Sequence, residues 1–102
     1  MKQYLSPEQT AKLMELGFEK PKNERWVLDV ANESTPSIQN IVKRQDYSIG
    51  ELIEILDGKV TLEIDNDGGI WLVSTPIFDF IGAELIDCLF DACVKLKEEE
   101  VI

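Results

Sequence analysis

The stretch KVTLEIDNDGGIWLVST, residues 59–75, predicts a β-hairpin around which the rest of the chain is arranged. Val60, Leu62 and Ile64 alternate with polar residues, which is the period of a half-buried strand. The following run, IWLV at 70–73, is rich in β-branched and aromatic side chains and predicts the partner strand. The intervening glycines supply the positive φ angles of a tight turn, because glycine has no Cβ that clashes there.

Two shorter helices are predicted before the hairpin, each by a capping box. Ser6 and Gln9 flank the start of a helix over 7–16, which ends at Gly17. Ser48 and Glu51 begin a second helix that ends at 57–58. A strand is predicted at 26–30, with Trp26, Leu28 and Val30 on one face. The segment 32–46 stays open: 34–37 has loop chemistry, and Ile38, Ile41 and Val42 fit one helical turn or an edge strand.

The longest helix is predicted from Ala83 to about Glu99. Its apolar stripe consists of Leu85, Ile86, Leu89, Phe90, Cys93 and Leu96. We expect that stripe to pack on one face of the hairpin sheet. Between the hairpin and this helix, the apolar run 77–81 fits either a strand extension or a packed turn. The sequence thus predicts one α+β domain over 1–102: a two-layer fold in which an antiparallel sheet of about three strands, with hairpin 59–75 central, is packed by the long C-terminal helix and two shorter helices.

Charge is distributed unevenly along the chain. The whole sequence carries a net charge of −10. Residues 1–45 hold seven bases and six acids, a net charge of +1, whereas residues 46–102 hold three bases and fourteen acids, a net charge of −11. Direct binding of nucleic acid by the acidic half is therefore not expected, because phosphate contacts need clustered lysine and arginine. A basic protein partner, a cation or solubility alone would account for the acidity.

The composition also bounds the compartment. No apolar run approaches the roughly 20 residues of a membrane span, and the first residues lack a secretory signal. Cys88 and Cys93 are five residues apart in a helical pattern, too far apart around the helix for a disulfide. We expect both to be buried thiols in a reducing cytoplasm.

Catalytic chemistry finds little support in the sequence. The chain has no histidine, which removes the commonest general base and most zinc sites, and it has no glycine-rich phosphate motif. No catalytic residue and no cofactor are predicted. Glu84, Asp87 and Asp91 share one side of the last helix; they are the candidate partner-binding residues, although the solvated face of an amphipathic helix is the simpler explanation. Asp91 is expected to pair with Lys95 one turn later.

The acidic turn invites comparison with a calcium loop. Glu63, Asp65 and Asp67, followed by Gly68, match its first half, in which oxygen ligands alternate. The twelfth position is Ser74 instead of a bidentate glutamate, and the following residues predict a strand. These three acids are the only metal candidates, and hairpin chemistry is the preferred interpretation.

Three segments carry a resemblance to a known group of proteins. They are YSIGELIEIL at 47–56, LEI at 62–64 before the tryptophan-bearing strand, and ELID at 84–87. Over residues 47–102 the chain resembles a set of short acidic proteins of unknown function from Bacteroides-type gut bacteria, often encoded in prophages or other mobile elements. The resemblance implies an intracellular accessory protein and assigns no site.

Three functions from different classes follow. The first is an interaction module whose acidic half meets a basic protein surface. The second is a nucleic-acid mimic, in which two rows of carboxylates imitate phosphates and block a DNA-binding protein. The third is a small metal-dependent enzyme using Asp65, Asp67 or the acids of the last helix. A homo-oligomer is compatible with all three, because a two-layer domain leaves the outer face of its sheet uncovered.

Overall fold

The computed structural model of the chain describes residues 2–22, 24–28 and 41–102. Three helices and five strands are present in that part: α1 (Pro7–Glu15), β1 (Glu24–Leu28), β2 (Ile41–Gln45), α2 (Ile49–Asp57), β3 (Glu63–Asp67), β4 (Ile70–Ser74), β5 (Asp79–Gly82) and α3 (Leu85–Glu98). The strands form two antiparallel sheets, a two-stranded ribbon β1–β2 and a three-stranded sheet in the order β3-β4-β5. The predicted α+β class and the three helices are confirmed.

The predicted hairpin is present, with β4 as the central strand of its sheet. Gly68 and Gly69 have φ angles of 61° and 87°, so the two-residue turn is of the type that matches strand twist. Asp67 pairs with Ile70 to close it. β3 is shorter than predicted because it begins at Glu63; the apolar residues before it, at 60 and 62, pack against the core from the connection after α2.

The apolar run after Pro76 contains a third strand instead of a packed turn. Pro76 and Ile77 form a two-residue connection, and the Thr75 amide donates to the Phe78 carbonyl at 2.9 Å across it. The Thr75 hydroxyl oxygen accepts the Phe78 amide at 3.0 Å, so the side chain completes the turn. β5 then pairs with β4 from Ser74↔Asp79 to Trp71↔Gly82.

The predicted helix starts are confirmed at both capping boxes. The Gln9 amide donates to the Ser6 hydroxyl at 3.2 Å while the Gln9 side chain accepts the Ser6 amide at 3.0 Å. The same reciprocal arrangement joins Ser48 and Glu51. At the end of α1, Gly17 has a φ of 100°, and the Phe18 amide donates to Leu13 at 3.1 Å, so the chain leaves through a left-handed cap.

The core is centred on α3. One side of this helix contacts β4 and β5, and other positions contact α2 and α1. The apolar residues of α3 that become buried are Leu85, Ile86, Cys88, Leu89, Ala92, Cys93 and Leu96. Opposite them lie Val73 from the sheet, Leu52 and Leu56 from α2, Leu13 from α1, and Leu5 and Tyr47. The expected packing of the α3 stripe on the sheet is confirmed, although β3 takes little part in it.

The residues after 40, for which the sequence left a helical turn or an edge strand open, form a strand of the ribbon. Ile41–Gln45 is a strand, paired with β1 in a register that sets Trp26 opposite Lys43. The expected extension of β1 to Val30, the loop at 34–37 and Ile38 lie outside the described residues.

Candidate interaction surface

The two faces of the three-stranded sheet have different environments. Alternation along the strands puts Trp71, Val73 and Phe80 on the face toward α3, where Val73 is fully buried. The opposite face carries Ile70, Leu72 and Ile81, none of which belongs to the core cluster. Ile81 is 71% exposed and Ile70 is 48% exposed. The outer face therefore presents two exposed isoleucines, with the partly buried Leu72 between them, within the described part of the chain.

Acidic residues surround these aliphatic side chains. Glu63, Asp65 and Asp67 follow one another at every second position of β3, and Asp79 lies on β5; strand alternation places all four on the outer face. All four are exposed. Within residues 2–22, 24–28 and 41–102, no basic side chain forms an ion pair with any of them. We call these four acids, together with Ile70, Leu72 and Ile81, the outer sheet face.

The three metal candidates lie on this face without converging. They occupy one row on β3, in which alternate residues are about 7 Å apart along the strand. One Asp65 oxygen accepts the Asn66 amide at 2.9 Å. In the described part of the chain, no group of three or more carboxylates or thiols is arranged to hold a metal ion. A row on an open strand does not supply the enclosing oxygen ligands that calcium requires.

Two of the candidate partner-binding residues on the last helix make contacts inside the molecule. Glu84 accepts the backbone amide of Lys2 at 3.0 Å. Asp87 accepts both the Lys2 ammonium, at 3.1 Å, and the Gln9 side-chain amide, at 3.0 Å. The Gln9 hydrogen bond, together with Lys2, lowers the pKa of Asp87 against an opposing effect of burial. These carboxylates tie the N-terminal segment to the start of α3.

Asp91, the third candidate, has a different environment. Partial desolvation and then the negative charge of Asp87 raise its pKa. Its expected partner, Lys95, pairs instead with Glu99 at 3.0 Å and lies 5.3 Å from the centre of the Phe78 ring. The predicted surface pair between Asp91 and Lys95 is therefore absent from the described ion pairs.

A charge cluster at the base of the ribbon was not predicted from the sequence. Asp46 is only 1% exposed, and one of its oxygens accepts the Thr10 hydroxyl at 3.0 Å. Its other oxygen contacts Arg25 at 3.2 Å and Arg44 at 3.3 Å. The Arg25 guanidinium also lies 4.2 Å from the centre of the Tyr4 ring. Asp46 lies two residues after Arg44 in the sequence, which is a weak signal for an ion pair. Its contact with Arg25 depends on the pairing of β1 with β2, and that pairing cannot be deduced from the spacing of the two strands in the sequence.

The exposed face of the ribbon has balanced charge. Trp26 is 69% exposed, and the Lys43 ammonium lies 5.9 Å from the centre of its ring. Lys43 also pairs with Glu24 at 2.7 Å. The lysine is thus neutralised by its neighbour, so this face lacks the single-sign charge of the outer sheet face.

An open groove of about 400 Å³ lies between the end of α1 and the end of α2. Its lining combines the apolar Phe18 and Ile55 with four charged residues, Glu19, Glu54, Lys59 and Lys97. Two acids and two bases cancel, so the groove favours neither sign of ligand charge.

The thiols are structural. Cys88 and Cys93 are free and buried in α3, as expected from their spacing. Burial raises the pKa of the Cys93 thiol to about 12, and burial is also the first cause of the raised pKa of Cys88. Neither thiol is activated as a nucleophile, because the thiolate is the reactive form.

Comparisons with known proteins assign no family. No protein-family model matches the chain, and no curated protein or solved structure matches it. Among the described residues, no helix has both the length and the apolar character needed to cross a membrane.

Proposed function

We propose that the protein is an accessory interaction module that binds a basic protein surface through its outer sheet face. The observation that supports this proposal is the coincidence, on one exposed face, of three aliphatic side chains and four acids without a described basic partner. Aliphatic contact supplies affinity, whereas charge of one sign speeds encounter and selects partners of opposite sign. A partner with lysine or arginine around a small apolar centre satisfies both requirements.

The sheet supports this role better than the acids of the last helix do. Glu84 and Asp87 are already engaged by Lys2 and Gln9, so a partner would have to break those contacts. The acids at 63, 65, 67 and 79 form no ion pair with the described residues, so a basic partner can bind them without breaking one. These four acids also lie beside the exposed side chains of Ile70 and Ile81, so a partner that contacts the acids also covers apolar surface.

Co-purification from native cells tests the proposal. Tagged wild-type protein is compared with a variant in which Glu63→Gln, Asp65→Asn and Asp67→Asn remove three charges from the outer sheet face. We expect a basic protein to co-purify with the wild type at low salt and to be lost at high salt, because screening weakens exposed charge pairs. The neutralised variant should lose it at low salt as well.

The matched control removes the same number of charges elsewhere. Glu8→Gln, Glu15→Gln and Glu98→Gln lie on exposed positions of α1 and α3 and should leave co-purification unchanged. Equal loss in both triple variants would show that net charge alone governs binding and would contradict the proposed surface. Asp91→Asn, in parallel, tests the remaining candidate on the last helix.

A nucleic-acid mimic is the second candidate. It is favoured by the three acids of β3, whose spacing of about 7 Å forms a regular line of negative charge. The face carries one such row and a single acid, Asp79, two strands away, whereas the mimic needs two rows. Competition decides between the candidates: a mimic must displace DNA from the co-purified protein, and an accessory module need not.

A cytoplasmic location and an origin in a mobile element are parts of the same proposal. The location is supported by two cysteines that remain free thiols, since disulfides are rare in that compartment. The origin rests on the resemblance of residues 47–102 alone.

A further inference from the structure

We infer that the partner contributes an extended, lysine- or arginine-bearing strand that adds to the free edge of β5. This inference rests on the proposed function and specifies how the basic partner is held. The three-stranded sheet ends in β3 on one side and β5 on the other, and in the described part of the chain no further strand pairs with either. The two edges differ in the state of their backbone groups.

The turns define which backbone groups point outward. A two-residue hairpin turn closes on a pair that exchanges hydrogen bonds, here Asp67 and Ile70. Across the second turn, the Thr75 amide donates to Phe78 at 2.9 Å. Counting from either turn gives the same alternation: positions 70, 72 and 74 of β4 bond to β3, and positions 71 and 73 bond to β5.

The outward groups follow from this alternation. On β3, the amides and carbonyls of Ile64 and Asn66 point away from the sheet, because their β4 partners do not bond to them. On β5, those of Asp79 and Ile81 do so for the same reason. Each edge therefore offers two residues with which an added strand could exchange hydrogen bonds.

The β3 edge is protected. The outward amide of Asn66 donates to the Asp65 carboxylate at 2.9 Å, so one of the two outward donors of the β3 edge is already used. A partner at this edge would have to displace that carboxylate.

The β5 edge has no comparable protection. Among the described residues, no side chain or further backbone group bonds to the outward amides and carbonyls of Asp79 and Ile81. The Ile81 side chain is 71% exposed beside them. A strand added here sets one outer side chain beside Asp79 and another beside Ile81, which favours a cation at the first position and an aliphatic group or lysine stem at the second.

A second copy of the chain fits this edge less well than a basic strand. Two copies carry a net charge of −10 each, so their acidic faces repel. Antiparallel pairing of two β5 strands would set Asp79 of one copy beside Ile81 of the other and leave both carboxylates without a cation. The missing chemistry is positive charge.

The test uses the end-blocked peptide KVKVKVK as the strand probe, with binding followed by calorimetry. The control peptide has the same sequence with the backbone nitrogens of its third and fifth residues, both lysines, methylated, which keeps the charge and removes the ladder donors that would face Asp79 and Ile81. We expect the unmodified peptide to bind at least about tenfold more tightly than the methylated one, because main-chain hydrogen bonds carry strand addition. Equal affinities would overturn the inference and leave only contact by charge.

Matched proline variants locate the edge. Ile81→Pro removes an outward amide from β5, and Ile64→Pro removes the corresponding amide from β3; edge positions of this kind tolerate proline. We expect Ile81→Pro to weaken the peptide about tenfold or more and Ile64→Pro to change its affinity less than about twofold. The reverse order would overturn the assignment to β5.

Amide hydrogen exchange of the wild type gives the same answer without any substitution. Saturating peptide should slow exchange at Ile81 and leave Ile64 unchanged, and protection at Ile64 alone would contradict the inference. If the peptide does not bind while a basic protein co-purifies in the charge-dependent manner described above, strand addition fails and the proposed function stands. If co-purification is also absent, both fail.

Discussion

The three-stranded sheet and the two-stranded ribbon are attached to the helices by opposite means. The sheet contacts α3 through apolar side chains, with Val73 and Leu89 fully buried between them. The ribbon is tied at its base by Asp46, whose carboxylate joins Arg25, Arg44 and Thr10. Both sheets are antiparallel and their strands are of similar length, so the difference lies in what each one packs against.

The difference shows how a small domain divides its stability. Apolar burial tolerates small shifts and grows with the area removed from water, whereas a buried carboxylate depends on each partner staying in place. The sheet should therefore fail only when the whole core fails, and the ribbon should come loose from a single change at its base.

The largest expected effect comes from placing a charge in the packing between sheet and helix. Leu89→Asp should abolish cooperative unfolding, because an unpaired carboxylate in the core is not accommodated. Circular dichroism during thermal unfolding measures this. Met14→Asp on α1, where the side chain is 42% exposed, is the control and should retain a cooperative transition. A folded Leu89→Asp protein would mean that the sheet does not depend on α3.

The next effect breaks the ribbon alone. Asp46→Ala should lower the free energy of unfolding of the ribbon by about 3 kcal/mol, since it leaves two arginines without their shared carboxylate. The two tryptophans make it measurable by region: Trp26 reports on the ribbon and Trp71 on the sheet, each in a variant with the other changed to phenylalanine. Trp26 should respond at lower denaturant than Trp71.

Glu24→Gln is the control for this experiment. It removes an ion pair between half-exposed side chains in the same ribbon, so the expected loss is below about 1 kcal/mol. Equal losses from the buried and the exposed acid would contradict the role given to Asp46.

A smaller effect distinguishes the two faces of the sheet. Val73→Ala should lower the free energy of unfolding by about 2 kcal/mol, because the lost methyl groups leave a cavity in the core. Ile81→Ala, on the outer face, should change it by less than about 0.5 kcal/mol. Chemical denaturation of the two variants gives both values. A large loss at Ile81 would show that the outer face is covered in solution, and light scattering would then test for a second copy.

The smallest effect concerns the N-terminal attachment and is seen through pH. The pKa of Asp87 is lowered from 3.8 in the folded protein, so its contribution is present above that value and is lost as pH falls through the folded pKa. Asp87→Asn should therefore show less acid destabilisation than the wild type. Unfolding free energies measured between about pH 5 and pH 2 test the slope. Identical slopes would mean that Asp87 does not titrate with folding.

Local signals in the sequence predicted much of this fold. The glycines at 68 and 69, and the serines at 6 and 48, act on residues within a few positions, so their patterns are visible in one dimension. The ribbon was predicted only in part, because its second strand could be placed only by pairing across a long connection. The apolar run at 77–81, which contributes to β5, was also left open, since a short apolar run does not separate strand from turn.

The candidate surface was predicted less well than the fold. The acids of β3 were considered as metal ligands and assigned to hairpin chemistry instead, and their position beside the exposed Ile81 became apparent only when β5 was added to the sheet. Asp46 was missed altogether. Its partners at 10, 25 and 44 lie on three different elements, and no local pattern relates them.

The attachment of the N-terminal segment also has a kinetic consequence. Gln9 and Lys2 meet Asp87 across 78 and 85 residues of chain, so these contacts close very long loops. The helices α2 and α3 and the sheet between them are continuous in sequence from residue 49 to residue 98 and need no such closure. That unit is expected to form first, with α1 docking afterwards, because long-range contacts cost the most loop entropy before they are made. The N-terminal segment is therefore the part of the molecule expected to detach first during unfolding.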